Sequence, residues 1–198
     1  MATQCESETK RALESWIKKN GLALLDPNAP EDYGMNYESD KDLRRSYKTD
    51  DGLEVRLDLS GFTQGFKILL KWEIIDRKEH RSLKGVASIN DNASQTSMNR
   101  HLNSIFELTK NHGGDIRALT DEDKDKARRN AIIPDDDPAR LKDEAAITDL
   151  IGKLDGSLQL FREMLECRAN GEGCIGYYEI SVGYHQEIDA DQTIDQLG

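Results

Sequence analysis

PARLKDEAAITDLIGKLDGSLQLFREMLEC, residues 138–167, is the stretch that decides the architecture of this chain. Leu141, Ala145, Ile147, Leu150, Ile151, Leu154, Leu158, Phe161 and Leu165 recur at the three-four spacing that lines one face of an α-helix. Asp137 stands where an N-cap carboxylate takes an orphan backbone N–H, and Pro138 suits the first helical position. Asn170-Gly171 follows as a stop signal. An unbroken helix of this length spans roughly 45 Å at 1.5 Å per residue. Gly152 and Gly156 weaken it by about 1 kcal/mol each relative to Ala, and predict a bend or the close approach of a neighbour.

Working outward, the period changes from three-four to two. Leu53, Val55, Leu57 and Leu59 alternate with Glu54, Arg56 and Asp58; Phe66, Ile68, Leu70, Trp72 and Ile74 alternate with Lys67, Leu69, Lys71, Glu73 and Ile75. A third short strand is expected near Val86–Ile89 and a fourth over Cys174–Tyr184. Three further helices are expected. The first covers Glu8–Lys19 behind a Ser7 cap, and the second covers Met98–Asn111 with Met98, Leu102, Ile105 and Phe106 turned inward. The third is short and charged, opened by a capping box of Thr120 and Asp123. The expected fold class is α+β: an antiparallel sheet of about three to four strands packed against a helical layer dominated by the long helix. One domain over 1–198 is expected, with a long polar loop at 26–51 and an acidic tail at 187–198.

Composition narrows the compartment and the partner. No apolar run approaches a membrane span, and the first twenty residues are charged and amphipathic, unlike a signal peptide. Cys5, Cys167 and Cys174 are too few and too irregular for a disulfide framework and read as unlinked thiols, so a cytoplasmic location is expected. The net charge of −11 is uneven. Residues 26–51 carry eight acids and four bases, residues 52–119 eight acids and ten bases, and residues 171–198 six acids with no Lys or Arg. An acidic chain repels nucleic acid overall and meets basic surfaces, so direct nucleic-acid binding is not expected.

Several constellations invite chemistry. Asp58, followed eighteen residues later by Asp76-Arg77-Lys78, resembles the Asp…Asp-x-Lys pattern of metal-dependent nucleases of the restriction-endonuclease type. That resemblance implies Asp58, Glu73 and Asp76 around Mg²⁺ and Lys78 stabilising the attacking water of a phosphodiesterase. Asp76-Arg77-Lys78 departs from the pattern by standing at a charged strand end, where a hairpin turn is simpler. Asp121, Asp123 and Asp125 alternate like a calcium loop, but Lys126 and Ile132 stand where Gly and Glu are required. Cys167 and Cys174 lack a second pair for zinc, the four histidines have no ligand spacing, and the glycines form no phosphate cradle. No metal or cofactor is therefore expected. The basic cluster Arg77, Lys78, His80, Arg81 and Lys84, without interleaved aromatics, reads as a hairpin tip.

The leading expectation is a non-catalytic interaction protein that presents acids to a basic protein surface, as an inhibitor, immunity-type protein or assembly subunit. Its contact residues would be Asp40, Asp42, Asp50, Asp51, Asp135, Asp136, Asp137, Asp189, Asp191 and Asp195. A nucleic-acid mimic that binds a nucleic-acid-binding protein is a special case, because spaced carboxylates imitate phosphates.

Overall fold

The computed structural model describes residues 3–26, 43–62, 65–169 and 185–188. Hydrophobic alternation builds an antiparallel meander in which β1 (Ala23–Leu24), β2 (Leu43–Lys48), β3 (Glu54–Phe62), β4 (Lys67–Asp76), β5 (Arg81–Asn90) and β6 (His185–Ile188) lie in sequence order. Strands β3, β4 and β5 carry the sheet. Their register sets Val55, Ile74 and Leu83 in one row, Leu57, Trp72 and Gly85 in the next, and Leu59, Leu70 and Ala87 in a third. All nine positions are buried and face the helices, while Arg56, Lys71 and Lys84 point to the open side. Gly85 is required by this packing: a Cβ there would lie 2.1 Å from Cε2 of Trp72, so the indole occupies the space that a side chain would need.

The helical layer consists of α1 (Gln4–Lys19), α2 (Asn92–Asn111), α3 (Asp121–Asn130) and α4 (Pro138–Ala169). The architecture is thus α+β, with the long helix over the sheet as the periodicity requires. Asp137 caps α4 through its Oδ1, which accepts from the Ala139 N–H at 3.0 Å, and Pro138 opens the helix. Ile147, Leu150, Leu154, Leu158 and Phe161 enter the same core as Leu13 and Trp16 of α1 and the inner sheet rows. Trp16 donates its indole N–H to Asp155 Oδ1 at 2.9 Å, which ties α1 to α4.

Several expectations need correction. Among the described residues the antiparallel sheet has six strands, with the short β1 and β6 at its edges extending the strands foreseen. The fourth strand foreseen at 174–184 lies outside the described residues, but Glu187, assigned to the tail, belongs to β6. Helix α1 begins four residues early because Thr3 and Glu6, not Ser7, form its capping box. Helix α4 runs unbroken through Gly152 and Gly156. Nothing lies within 4 Å of a Cβ built on either glycine, so neither serves a close approach. Cys167 forms a disulfide, which overturns its reading as an unlinked thiol; its partner lies outside the described residues.

The largest correction concerns α2. Met98, Leu102 and Phe106 point outward, 45 %, 56 % and 60 % exposed. Only Ile105 of the foreseen quartet is partly covered, against a small cluster of Leu108, Leu119 and Ala127. The helix buries a different side because α3 and α4 approach it from there. Ser97 Oγ donates to Ala131 O at 2.8 Å, and the first turn meets Asp143 of α4.

These placements separate two kinds of position on α4. Phe161→Ala should lower stability by about 3–5 kcal/mol, because its ring is fully buried. Gly156→Ala should raise it by about 1 kcal/mol, because the new methyl meets open space. Urea unfolding followed by circular dichroism reads both, and an unchanged midpoint for Phe161→Ala would remove α4 from the centre of the core.

Candidate functional site

The carboxylates of the nuclease-like pattern stand on the sheet, where register decides whether they meet. Asp58 of β3 lies opposite Lys71 of β4, and Glu73 lies opposite Arg56. Asp58 and Glu73 therefore share the open face as diagonal neighbours. Asp76 is five residues beyond Lys71, roughly 16 Å along the strand, and an odd step in a strand reverses the face. Its Oδ1 accepts from the Lys78 N–H at 3.0 Å, the local bond of a hairpin turn. The structure brings together Asp58 and Glu73 but not Asp76 or Lys78. Glu73 is also engaged, 3.5 Å from Arg56 Nη1. In the basic cluster, Arg77 is committed to Glu54 through bonds of 3.0 and 2.9 Å, and Arg81 is buried.

The acids expected at a partner surface divide by role. Asp135 and Asp136 are exposed, and Asp135 is 4.0 Å from Arg140 Nε. Asp50 is exposed beside the turn between β2 and β3. Asp51 is held from α4: Arg162 donates to both of its oxygens at 2.9 and 3.0 Å. That hydrogen-bonded guanidinium holds the Asp51 carboxyl below the usual carboxylate range. Asp137 is buried, and its second oxygen accepts from Arg100 Nη2 at 2.7 Å. Asp51 and Asp137 thus join elements of the fold. Asp40, Asp42, Asp189, Asp191 and Asp195 lie outside the described residues. The calcium-like run is absorbed by α3: Asp123 completes the capping box with Thr120, while Asp121 and Asp125 pair with Lys124 and Arg128 three residues on.

Three buried groups that the sequence did not single out together do converge. Cys5, Asp91 and Asp143 each offer a ligand atom within 4.8 Å of the others. Their chemistry is already committed. Asp91 caps α2, accepting from the Ser94 N–H at 2.9 Å and the Ser94 hydroxyl at 2.7 Å. Asp143 accepts from the Asn92 N–H at 2.9 Å, the Asn92 side-chain amide at 2.8 Å and the Ala93 N–H at 2.9 Å. Burial, with the nearby Asp143 and Asp91 charges, pushes the Cys5 thiol up to about 12, so the thiolate that binds metals is disfavoured. The cluster is a helix-terminus anchor. The sequence did carry a signal for it, since Asp143 falls four residues before Ile147 on the buried face of α4.

What remains on the surface of the helical layer is the outer side of α2. Met98, Leu102 and Phe106, spaced by four, form an exposed apolar ridge flanked by Gln95, Asn99 and Asn103. Other large exposed apolar residues, such as Ile116, Ile132 and Leu141, are not aligned with it in one helix. The chain matches no family model, no curated protein and no solved structure.

Two measurements check these assignments. Asp143→Ala should cost about 1–3 kcal/mol by leaving buried donors unpaired, and should speed hydrogen exchange at Asn92 and Ala93. For Asp51 the folded carboxyl lies below its unfolded value near 4, so the Arg162 pair contributes fully above about pH 4. That contribution is lost as pH falls through the depressed value. The Tm gap between wild type and Asp51→Asn should accordingly be present at neutral pH and close in acid; a gap that persists unchanged at pH 2, roughly two units below the unfolded value, would contradict the pair.

Proposed function

We propose that this protein is a non-catalytic interaction protein that binds a basic protein surface through acidic segments, in an inhibitor-like, immunity-type or assembly role. One observation carries the reading: charge is segregated along the chain. Residues 26–51 carry eight acids against four bases and residues 171–198 six acids with no Lys or Arg, whereas residues 52–119 carry eight acids against ten bases. Ten of the eleven excess negative charges therefore fall in 26–51 and 171–198. Acidity concentrated in two segments gives a local attraction that uniform acidity, sufficient for solubility, would lack. Asp135 and Asp136, exposed on the body, add to it.

Long-range attraction of this kind accelerates encounter and selects partners. Imitation of a phosphate backbone, directed at a nucleic-acid-binding protein, is its most specific form. No observation favours the phosphodiesterase reading, because register keeps Asp76 and Lys78 away from Asp58 and Glu73.

The reading is tested by capture from the source-cell lysate at two ionic strengths. Between about 0.1 M and 1 M salt the Debye length falls from about 10 Å to 3 Å. A basic partner should be retained at the lower strength and lost at the higher. The triple variant Asp189→Asn, Asp191→Asn and Asp195→Asn should slow its association while leaving Tm unchanged. Equal retention at both strengths, or an unchanged association rate, would sink the proposal.

A further inference from the structure

Cys167 lies buried in the last turn of α4 and is disulfide-bonded. The sequence holds three cysteines, so the second sulfur belongs to Cys5 or to Cys174. Cys5 is excluded on two grounds. Its thiol is free. It also sits near the other end of α4, its sulfur within 4.8 Å of a carboxylate oxygen of Asp143. From Asp143 to Cys167 the helix runs unbroken for twenty-four residues, roughly 36 Å at 1.5 Å per residue. A disulfide needs its two Cα atoms about 4.4–6.8 Å apart. The sequence between Cys167 and Cys174 suits the closure. Helix α4 ends at Ala169, and Asn170-Gly171 followed by Gly173 supplies residue types that turn a chain back on itself.

We infer that Cys167 and Cys174 form an oxidative modification site, a disulfide ring of eight residues that staples the end of α4, and that the working form of the chain is made where thiols are kept oxidised. Two effects of the bond can be weighed. The crossing from α4 to β6 shortens from residues 170–184 to 175–184, fifteen to ten, which favours the seating of β6 by less than about twofold. Closing an eight-residue ring takes chain entropy from the unfolded state, and the chain-entropy model makes this worth roughly sixtyfold in the folding equilibrium. The ring therefore acts on the whole fold through α4. It does so on the core side, because Phe161 and Met164, in the turns before Cys167, are buried with it. The chemistry is an exchange. A thiolate of the pair attacks an oxidised partner, either a low-molecular-weight disulfide or a disulfide oxidoreductase, and forms a mixed disulfide. The second thiolate displaces the remaining sulfur, so two thiols of the chain are oxidised and the partner leaves as two thiols. Cys5 takes no part, since its buried thiol resists ionisation. Bonds of this kind persist in oxidising compartments and are rare in a thiol-buffered cytoplasm, so the pair argues against the cytoplasmic location that unlinked thiols imply. None of this rests on the charge-based reading.

Thiol mapping tests the pairing. The full chain, equilibrated with oxidised glutathione and alkylated under denaturing conditions, should carry the label on Cys5 alone, and on all three cysteines after reduction. Label on Cys174 before reduction, or a covalent dimer on a non-reducing gel, overturns the assignment. Urea unfolding tests the staple. The folding equilibrium of the oxidised wild type should exceed that of the Cys167→Ser/Cys174→Ser variant at least tenfold. Dithiothreitol should bring the wild type down to the variant and leave the variant unchanged, whereas coincident curves for oxidised and reduced wild type overturn the stabilising role. Acid quenching of source cells, followed by alkylation, tests the compartment. Cys167 and Cys174 should be protected from label in the cell; labelling of both there overturns the oxidised working form.

Discussion

A single buried carboxylate holds the helical layer in register. Asp143 projects from the core side of α4 and collects the first backbone N–H groups of α2, so the orphan donors of one helix are satisfied by a side chain of another. An anion out of water is unfavourable unless it is hydrogen-bonded, and the positive end of the α2 dipole adds to the stabilisation supplied by its three donors. The bond is therefore directional as well as strong. Apolar packing would let α2 slide or roll on α4, whereas three donors converging on one carboxylate fix where α2 starts and how it is rotated. Asp91, the adjoining N-cap, holds the same turn from within its own helix.

That constraint explains the face that α2 shows to solvent. With its first turn pinned to α4 and its flank fixed to the end of α3 through Ser97, the rotation of the helix is set before its apolar residues have any say. Leu108 and Ile105 are carried toward the small cluster with Leu119 and Ala127; Met98, Leu102 and Phe106 are carried outward. The exposed ridge is a consequence of polar anchoring elsewhere in the molecule.

The limits of sequence reading follow from the same physics. Period-two alternation over Leu53–Leu59 and Phe66–Ile75 gave the sheet and its buried side, because a strand flanked by charge on alternate residues has one way to fold against a core. Asp137-Pro138 gave the start of α4, because both residues act within one turn. Contacts that depend on distant elements were hidden. Asp143 lies in step with the apolar stripe of α4, but what it bonds is hidden until the N–H groups of α2 are seen beside it. Asp51 looks like turn acidity until Arg162 arrives from 111 residues away. Asp76 and Asp58 look paired until the register shows an odd offset. Periodicity on α2 established that an apolar face existed, but not that the protein would leave it uncovered. The capping box of Thr3 and Glu6 is different: it was legible as T-x-x-E and lay only four residues before the assigned cap.

The bond between Trp16 and Asp155 spans 139 residues, and this bears on the order in which the chain is made. Helix α1 leaves the ribosome well before α4, yet the surface that receives Leu13 and Trp16 includes α4. At about 5–20 residues per second, the indole waits roughly 7–28 s for its acceptor. Through that interval the meander can pair locally, strand by strand, while the first helix has only part of its cover. Completion of the core therefore waits for α4, and through that interval the amphipathic α1 is open to a nascent-chain chaperone.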